Sequence, residues 1–247
     1  MLKKNTKPAQ PAIQIPEKPL FPMRINKYLA WKNYGTRREG DTLVENGRVM
    51  INGKRAKLGD KVYETDKVDV HFQAKEYRYF AYNKPRGVVG FSSDEEDDGA
   101  EEPSPIPGTF PVGQLDKYSR GLVILTNDGR ITDRLLNPTY AAEKGYFVTT
   151  KENLPPSFKT RMERGVNIEG YVTKPCHIEL LGEKRFSIIL TEDKKHQIRR
   201  MCAALDYTTE TIERHRIVNI TLSGIGLGQC RPIEGGELAV FLKALGI

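Results

Sequence analysis

Apolar residues in this chain fall into short runs of two different periods. Helical spacing comes first: in RINKYLAWKNYG, Ile25, Tyr28, Leu29 and Lys32 share one face and Gly35 ends the run. Thr36-Arg37-Arg38-Glu39 follows with the S/T-x-x-E spacing of a capping box, predicting a second helix through Leu43 and Val44 to Gly47. Residues 48–51 and 54–56 flank Asn52-Gly53, the turn pair that favours a type I′ hairpin, and residues 67–72 read as a further strand. Beyond a short polar connection, residues 79–83 read as a strand ending in the turn Asn83-Lys84-Pro85-Arg86-Gly87. Residues 94–111 are acidic and then proline-rich, which is loop composition.

The next stretch, residues 110–130, organises the remainder. Asp116 lies in a loop between Gly113 and Gly121, and the wholly apolar run 122–125 follows and closes on Asn127-Asp128-Gly129. Such a run reads as a short strand buried on both faces, with the acid held at its mouth and reachable from solvent. A short helix at 131–136, an alternating strand at 146–150, a helix end before Gly165 and an apolar strand at 185–190 come after it. A basic helix begins at His196, with Ile198, Met201, Cys202 and Leu205 as its buried stripe and Arg199 beside that stripe. Alternation through Arg214 and Arg216 places both arginines on one strand face, and residues 237–245 close the chain as an apolar helix. The class expected is α+β.

Charge sharpens this picture. Lys and Arg exceed Asp and Glu by seven over 247 residues, yet residues 94–102 alone hold seven acids and no base. Outside that run the positive excess therefore doubles, which suits a polyanionic partner. The three cysteines are widely spaced and form neither a CxxC nor a Cys/His ligand pair, so a reducing compartment without a structural metal is expected. No apolar stretch approaches a membrane span and no secretory h-region opens the chain. A cytoplasmic monomer is the expectation. Residues 1–22, with five prolines and four lysines, read as a disordered basic tail; residues 23–73 and 78–247 read as two domains.

FPVGQLDKYSRGLVILTNDGR resembles the central motif of the RsuA-type pseudouridine synthases, G-R-L-D-x-x-[ST]-x-G-L-hhh-T-N-D-G. Asn83–Gly87 resembles the N-K-P-x-G opening of the same family, Lys144-Gly145-Tyr146 its K-x-Y, and His196–Met201 its H-Q-[ILV]-[RK]-R-M. The helix–helix–hairpin unit resembles an S4 RNA-binding domain. The resemblance implies a synthase domain with a mixed, mainly antiparallel sheet flanked by helices. It also implies isomerisation of uridine to pseudouridine in RNA, with no cofactor and no metal. Asp116 would be the catalytic carboxylate and Arg199 the cation paired with it. Tyr146 would stack on the uracil and handle a proton.

RNA contacts are expected from Arg24, Lys27, Arg37, Arg38, Arg48 and Lys54 in the first unit, where phosphate contacts tether rather than select. Lys84, Gln114, Arg200, Arg214 and Arg216 are expected to contact RNA in the second. Two departures from the family pattern stand out. Gln114 replaces an Arg implicated in base flipping and lacks its planar cation. Gly145 replaces a frequent Glu. They leave a second reading open: an RNA-binding or ribosome-assembly factor of the same fold without catalysis. The expected partner is rRNA, that of the large subunit favoured, with tRNA the further substrate class.

Overall fold

The computed structural model describes residues 20–72, 75–88, 104–113 and 115–247. Most of the basic tail, the acidic run at 94–102 and Gln114 lie outside the described residues.

The first unit contains β1 (Met23–Arg24), α1 (Ile25–Trp31), α2 (Arg37–Glu45), β2 (Val49–Ile51), β3 (Lys54–Arg55), β4 (Lys61–Val62) and β5 (Val68–Val70). Its core is small: Ile25, Leu29, Val44, Val49, Ala56 and Val62. The capping box forms in full, Glu39 N donating to Thr36 Oγ1 at 3.2 Å and Thr36 N to Glu39 Oε2 at 2.8 Å. Two orphan donors at the start of α2 are thereby satisfied, and Arg37 and Arg38 are left exposed in its first turn. Asn52 and Gly53 both take positive φ, 50° and 77°, as a type I′ turn requires. The hairpin joins β5 in the order β3-β2-β5.

The second unit runs β6 (Tyr79–Lys84), β7 (Phe110–Val112), β8 (Arg120–Thr126), α3 (Arg130–Leu136), β9 (Lys144–Thr150) and α4 (Pro156–Glu163). It continues with β10 (Asn167–Ile168), β11 (Tyr171–Val172), β12 (His177–Leu180), β13 (Arg185–Leu190), α5 (Gln197–Ala203), β14 (Thr209–Ile217), β15 (Ile220–Thr221), β16 (Cys230–Pro232) and α6 (Gly235–Leu245). The large sheet is ordered β12-β13-β9-β14-β8-β6-β16, with β7 added on β8 and β15 on β14. Its pairings are antiparallel except β14 with β8.

Strand β8 is the spine. Leu122 and Ile124 enter the core beneath α3 and α6, while Val123 and Leu125 enter the core beneath α4 and α5. All four are essentially inaccessible, so each contributes roughly 1.5–3 kcal/mol of apolar burial. At the start of β8 the backbones nearly touch: a Cβ on Gly121 would lie 2.3 Å from the Arg214 carbonyl oxygen, and its φ is +114°. Only glycine lets β14 run alongside there.

Two sequence expectations change. The proline-rich loop ends earlier than expected, because Phe110–Val112 pairs with β8, Pro111 opposite Leu125. Proline is tolerated there because β7 pairs on one side only. Strand β14 carries a bulge, with Arg214 opposite Tyr146 and Arg216 opposite Gly145, so His215 is the extra residue. The alternation that would place both arginines on one face is broken by that insertion.

The two units touch. Arg130 Nη1 donates to the Asn33 carbonyl at 3.3 Å, and Lys75 Nζ meets Glu39 Oε1 at 2.5 Å. Arg130 is itself held by the wholly buried Asp128 through Nε and Nη2, both at 2.8 Å. Asp128 also accepts from Tyr79 Oη at 2.5 Å, and burial, followed by this bond, raises the Tyr79 phenol pKa.

Candidate active site

Asp116 precedes β8 by four residues, and both of its carboxylate oxygens are oriented. Oδ1 accepts the Tyr118 N–H at 2.9 Å and faces Arg199 Nη2 at 3.5 Å. Oδ2 accepts from Ser119 Oγ at 2.8 Å and faces His196 Nδ1 at 3.8 Å. The Asp116 side chain keeps 23% of its exposure, so the carboxylate is fixed yet open. Arg199 is anchored from behind, Nη1 donating to Thr209 Oγ1 at 3.1 Å and Nη2 to Ser119 Oγ at 3.3 Å.

The loop rests on a buried cation. Lys84, 1% exposed at the end of β6, donates from Nζ to the carbonyls of Asp116 at 3.1 Å and Ser119 at 3.2 Å. Gly87 N also donates to the Lys117 carbonyl at 2.8 Å, tying the Asn83–Gly87 turn to the same loop.

Tyr146 lies in the middle of β9 between Ile188 and Arg214. Burial pushes its phenol up to about 12, Arg214 opposing this by its charge and a hydrogen bond. The hydroxyl therefore stays protonated at neutral pH. Arg214 is completely buried, its guanidinium donating to the carbonyls of Leu122, at 2.7 Å, and Gly113. One buried cation thus joins the Tyr146 hydroxyl to both sides of the Asp116 loop. Nearby, Lys144 is 2% exposed with Nζ 3.6 Å from Asp193 Oδ2, and burial lowers its pKa.

These groups open onto a cleft of about 580 Å³, whose lining includes Asp116, Tyr146, Asp193, His196, Arg199 and Ile212. The structure thus brings Asp116, Tyr146 and Arg199, far apart in sequence, into one site. The remaining candidates are dispersed. Arg24, Lys27, Arg37, Arg38, Arg48 and Lys54 are all exposed on the first unit. Arg200 turns away to Glu169 Oε2 at 2.7 Å, and Arg216 pairs with Glu143 Oε2 at 2.8 Å. Lys84 and Arg214 have their cationic heads inside the protein, on backbone carbonyls, where no phosphate reaches them.

Three contributors were given no such role by sequence reasoning. Ser119 occupies the S/T position of the central motif, and that pattern was its available signal. His196 reads as a helix start but faces Asp116. Lys84 is expected among the RNA contacts but is the floor of the loop. Among the described residues, no group of three or more His, Cys, Asp or Glu side chains is arranged to hold a metal ion. Nor is any helix among them long and apolar enough to cross a membrane.

Comparison with known proteins bears on this geometry. Residues 78–204 match the family described as RNA pseudouridylate synthase, and residues 23–68 match the S4 domain. Over 230 residues the chain is 38% identical to the dual-specificity RNA pseudouridine synthase RluF of Escherichia coli K12, an alignment covering 90% of this chain and 79% of that protein. It is 31% identical to the ribosomal large subunit pseudouridine synthase B of Bacillus subtilis, covering 87% of this chain and 93% of that one. A crystal structure of a pseudouridylate synthase superposes with a TM-score of 0.64 at 26% identity, over 90% of this chain and 99% of the other.

Proposed function

Because this chain belongs to the RNA pseudouridylate synthase family and carries an S4 domain, we propose that Asp116 is the carboxylate with which it isomerises uridine in ribosomal RNA. The reaction breaks the N1–C1′ glycosidic bond, turns the uracil over and joins C5 to C1′, the C5 proton being lost and the freed N1 taking one up. A carboxylate beside the anomeric carbon is the general requirement of glycosidic cleavage. Attack at C1′ and removal of a sugar proton both need that carboxylate ionised and aimed. The observation that carries this reading is the double orientation of Asp116, by the Tyr118 N–H, Ser119 and Arg199, at the edge of an open cleft.

Tyr146 forms the cleft wall against which the uracil stacks, and its neutral hydroxyl holds a proton for the rearranging base. The target base must leave its helix, at a cost of roughly a few kcal/mol, before reaching Asp116. Gln114, in place of the family's arginine, alters that flipping step and leaves the carboxylate chemistry in place. The unit at 23–73 tethers RNA through its exposed cations, and the unit at 78–247 performs the reaction as a cytoplasmic monomer. Large-subunit rRNA is the favoured substrate and tRNA the second class.

The test is pseudouridine mapping by carbodiimide-induced reverse-transcription stops, in a strain lacking the gene. A stop absent from its large-subunit rRNA, restored by the wild-type gene and not by Asp116→Asn, supports the reading. Identical stops in the three strains, in rRNA and tRNA alike, contradict it.

A further inference from the structure

His196 lines the catalytic cleft and so far has no role. Its backbone sits at φ 51°, ψ 30°, in the left-handed region, where a residue bearing a Cβ is strained. Nothing in the helix cap explains this, since its side chain makes no capping hydrogen bond. Instead the strain turns the imidazole toward Asp116. Nδ1 lies 3.8 Å from Oδ2, beyond hydrogen-bonding distance, and the side chain remains 43% exposed. Arg199 faces the other carboxylate oxygen, so the two side chains flank Asp116 oxygen by oxygen. Arg199 is bound to Thr209 and Ser119, whereas His196 is open to whatever enters the cleft.

The substrate's chemistry then restricts what His196 can meet. With Asp116 acting at C1′ or on a neighbouring sugar proton, an imidazole this close to Oδ2 reaches groups within two bonds of the anomeric carbon. Those bearing heteroatoms are the ring oxygen and the base nitrogen, bonded to C1′ itself, and the hydroxyl one bond further out on C2′. The base lies against Tyr146, and the ring oxygen is only an acceptor. The 2′-hydroxyl both donates and accepts, so an imidazole nitrogen can meet it in either sense, and it separates RNA from DNA. We propose that His196 contacts the 2′-hydroxyl of the target nucleotide, setting C1′ against Asp116 and discriminating ribose from deoxyribose. This inference rests on the Asp116 reading above.

The experiment uses the full-length protein and a stem–loop transcribed around the uridine that wild type modifies. One version carries ribose and the other 2′-deoxyribose at that single nucleotide. His196→Gly removes the imidazole and suits the left-handed backbone, and His196→Asn tolerates the same backbone while keeping an amide. Wild type should lose at least tenfold in kcat/KM on the deoxy substrate. His196→Gly should lose at least tenfold on the ribose substrate and less than threefold further on the deoxy one. It should also melt at or above the wild-type temperature, a combination that a structural role would not give. His196→Asn should fall between the two. Should His196→Gly show no turnover, the ratio of affinities for the two stem–loops, read by fluorescence anisotropy, replaces the kinetic ratio.

Equal ribose-to-deoxyribose ratios in wild type and His196→Gly would overturn the inference, as would a lowered melting temperature accounting for the lost activity. In either case Asp116→Asn would still abolish modification of the ribose substrate. If wild type modified no uridine in rRNA or tRNA, the reading of Asp116 itself would fall, and this inference with it.

Discussion

Lys84 supports Asp116 from inside the protein: its buried ammonium donates to the Asp116 backbone carbonyl at 3.1 Å. The same Nζ reaches Ser119, which orients Oδ2. Lys84→Met should therefore abandon buried carbonyls at a cost of about 1–3 kcal/mol each. We expect a stability loss on the order of 2–4 kcal/mol by urea unfolding. Near-full residual stability with normal turnover would show that the loop holds itself.

The Tyr146 phenol, pushed up to about 12 by burial, should remain neutral across the working range of the enzyme. In an absorbance titration at 295 nm, its ionisation should fall well after that of the exposed tyrosines, and Tyr146→Phe should remove that late contribution. Turnover of Tyr146→Phe should fall by about a hundredfold or more, as expected for a proton-handling group, with RNA affinity little changed. An ionisation near 10 would contradict the buried placement.

Arg214 and the paired arginines of α2 should behave oppositely on mutation. Arg214→Met leaves the buried Leu122 and Gly113 carbonyls without their donor, so the loss should be on the order of 2–5 kcal/mol of folding stability. Arg37→Gln and Arg38→Gln should leave stability nearly unchanged. Each should instead lower the slope of log affinity against log salt by about 1, as removal of a phosphate contact does. A salt slope unchanged in both variants would remove this helix from the RNA-binding face.

Gly145 and His215 explain one departure from the family pattern. The His215 imidazole stacks on Phe147 at 4.0 Å, and a Cβ on Gly145 would come within 3.0 Å of His215 Nε2. The ring occupies the space that a side chain at 145 would take. Burial, followed by the Arg216 charge, lowers the His215 pKa. The folded protein thus binds this proton less readily than the unfolded chain. Its stabilising contribution is complete above the unfolded value of about 6.5 and is lost as pH falls from there toward the folded value. His215→Phe should flatten the fall in stability between pH 7.5 and 5, measured by urea unfolding. An unchanged slope would show that other groups carry it.

Local patterns announced much of this structure. Asn52-Gly53 needs only its own backbone preferences, Thr36 and Glu39 only each other, and the burial of Leu122 through Leu125 only a sheet with two covered faces. The stripe Ile198, Met201, Cys202 and Leu205 is likewise buried as its spacing requires. Long polar side chains were harder to place. Lys84 and Arg214 end on carbonyls 32 and 92 residues away, and no neighbouring residue foretells such partners. The β14 bulge depends on its register with β9, and the two-residue strands β1 and β4 exist only by pairing with each other. His196 was hidden for a related reason: its direction is set by a left-handed backbone that alternation and helical periods do not encode.

The most direct measurement of the central claim is release of tritium from rRNA labelled at uridine C5, with purified wild type beside Asp116→Asn. The account predicts release by wild type and none by the variant, which should still fold and bind RNA with wild-type affinity. Release by Asp116→Asn at a rate near wild type would show that another group does the chemistry. Tight RNA binding by wild type without any release would favour a binding factor, and Gln114→Arg would be the first variant to assay.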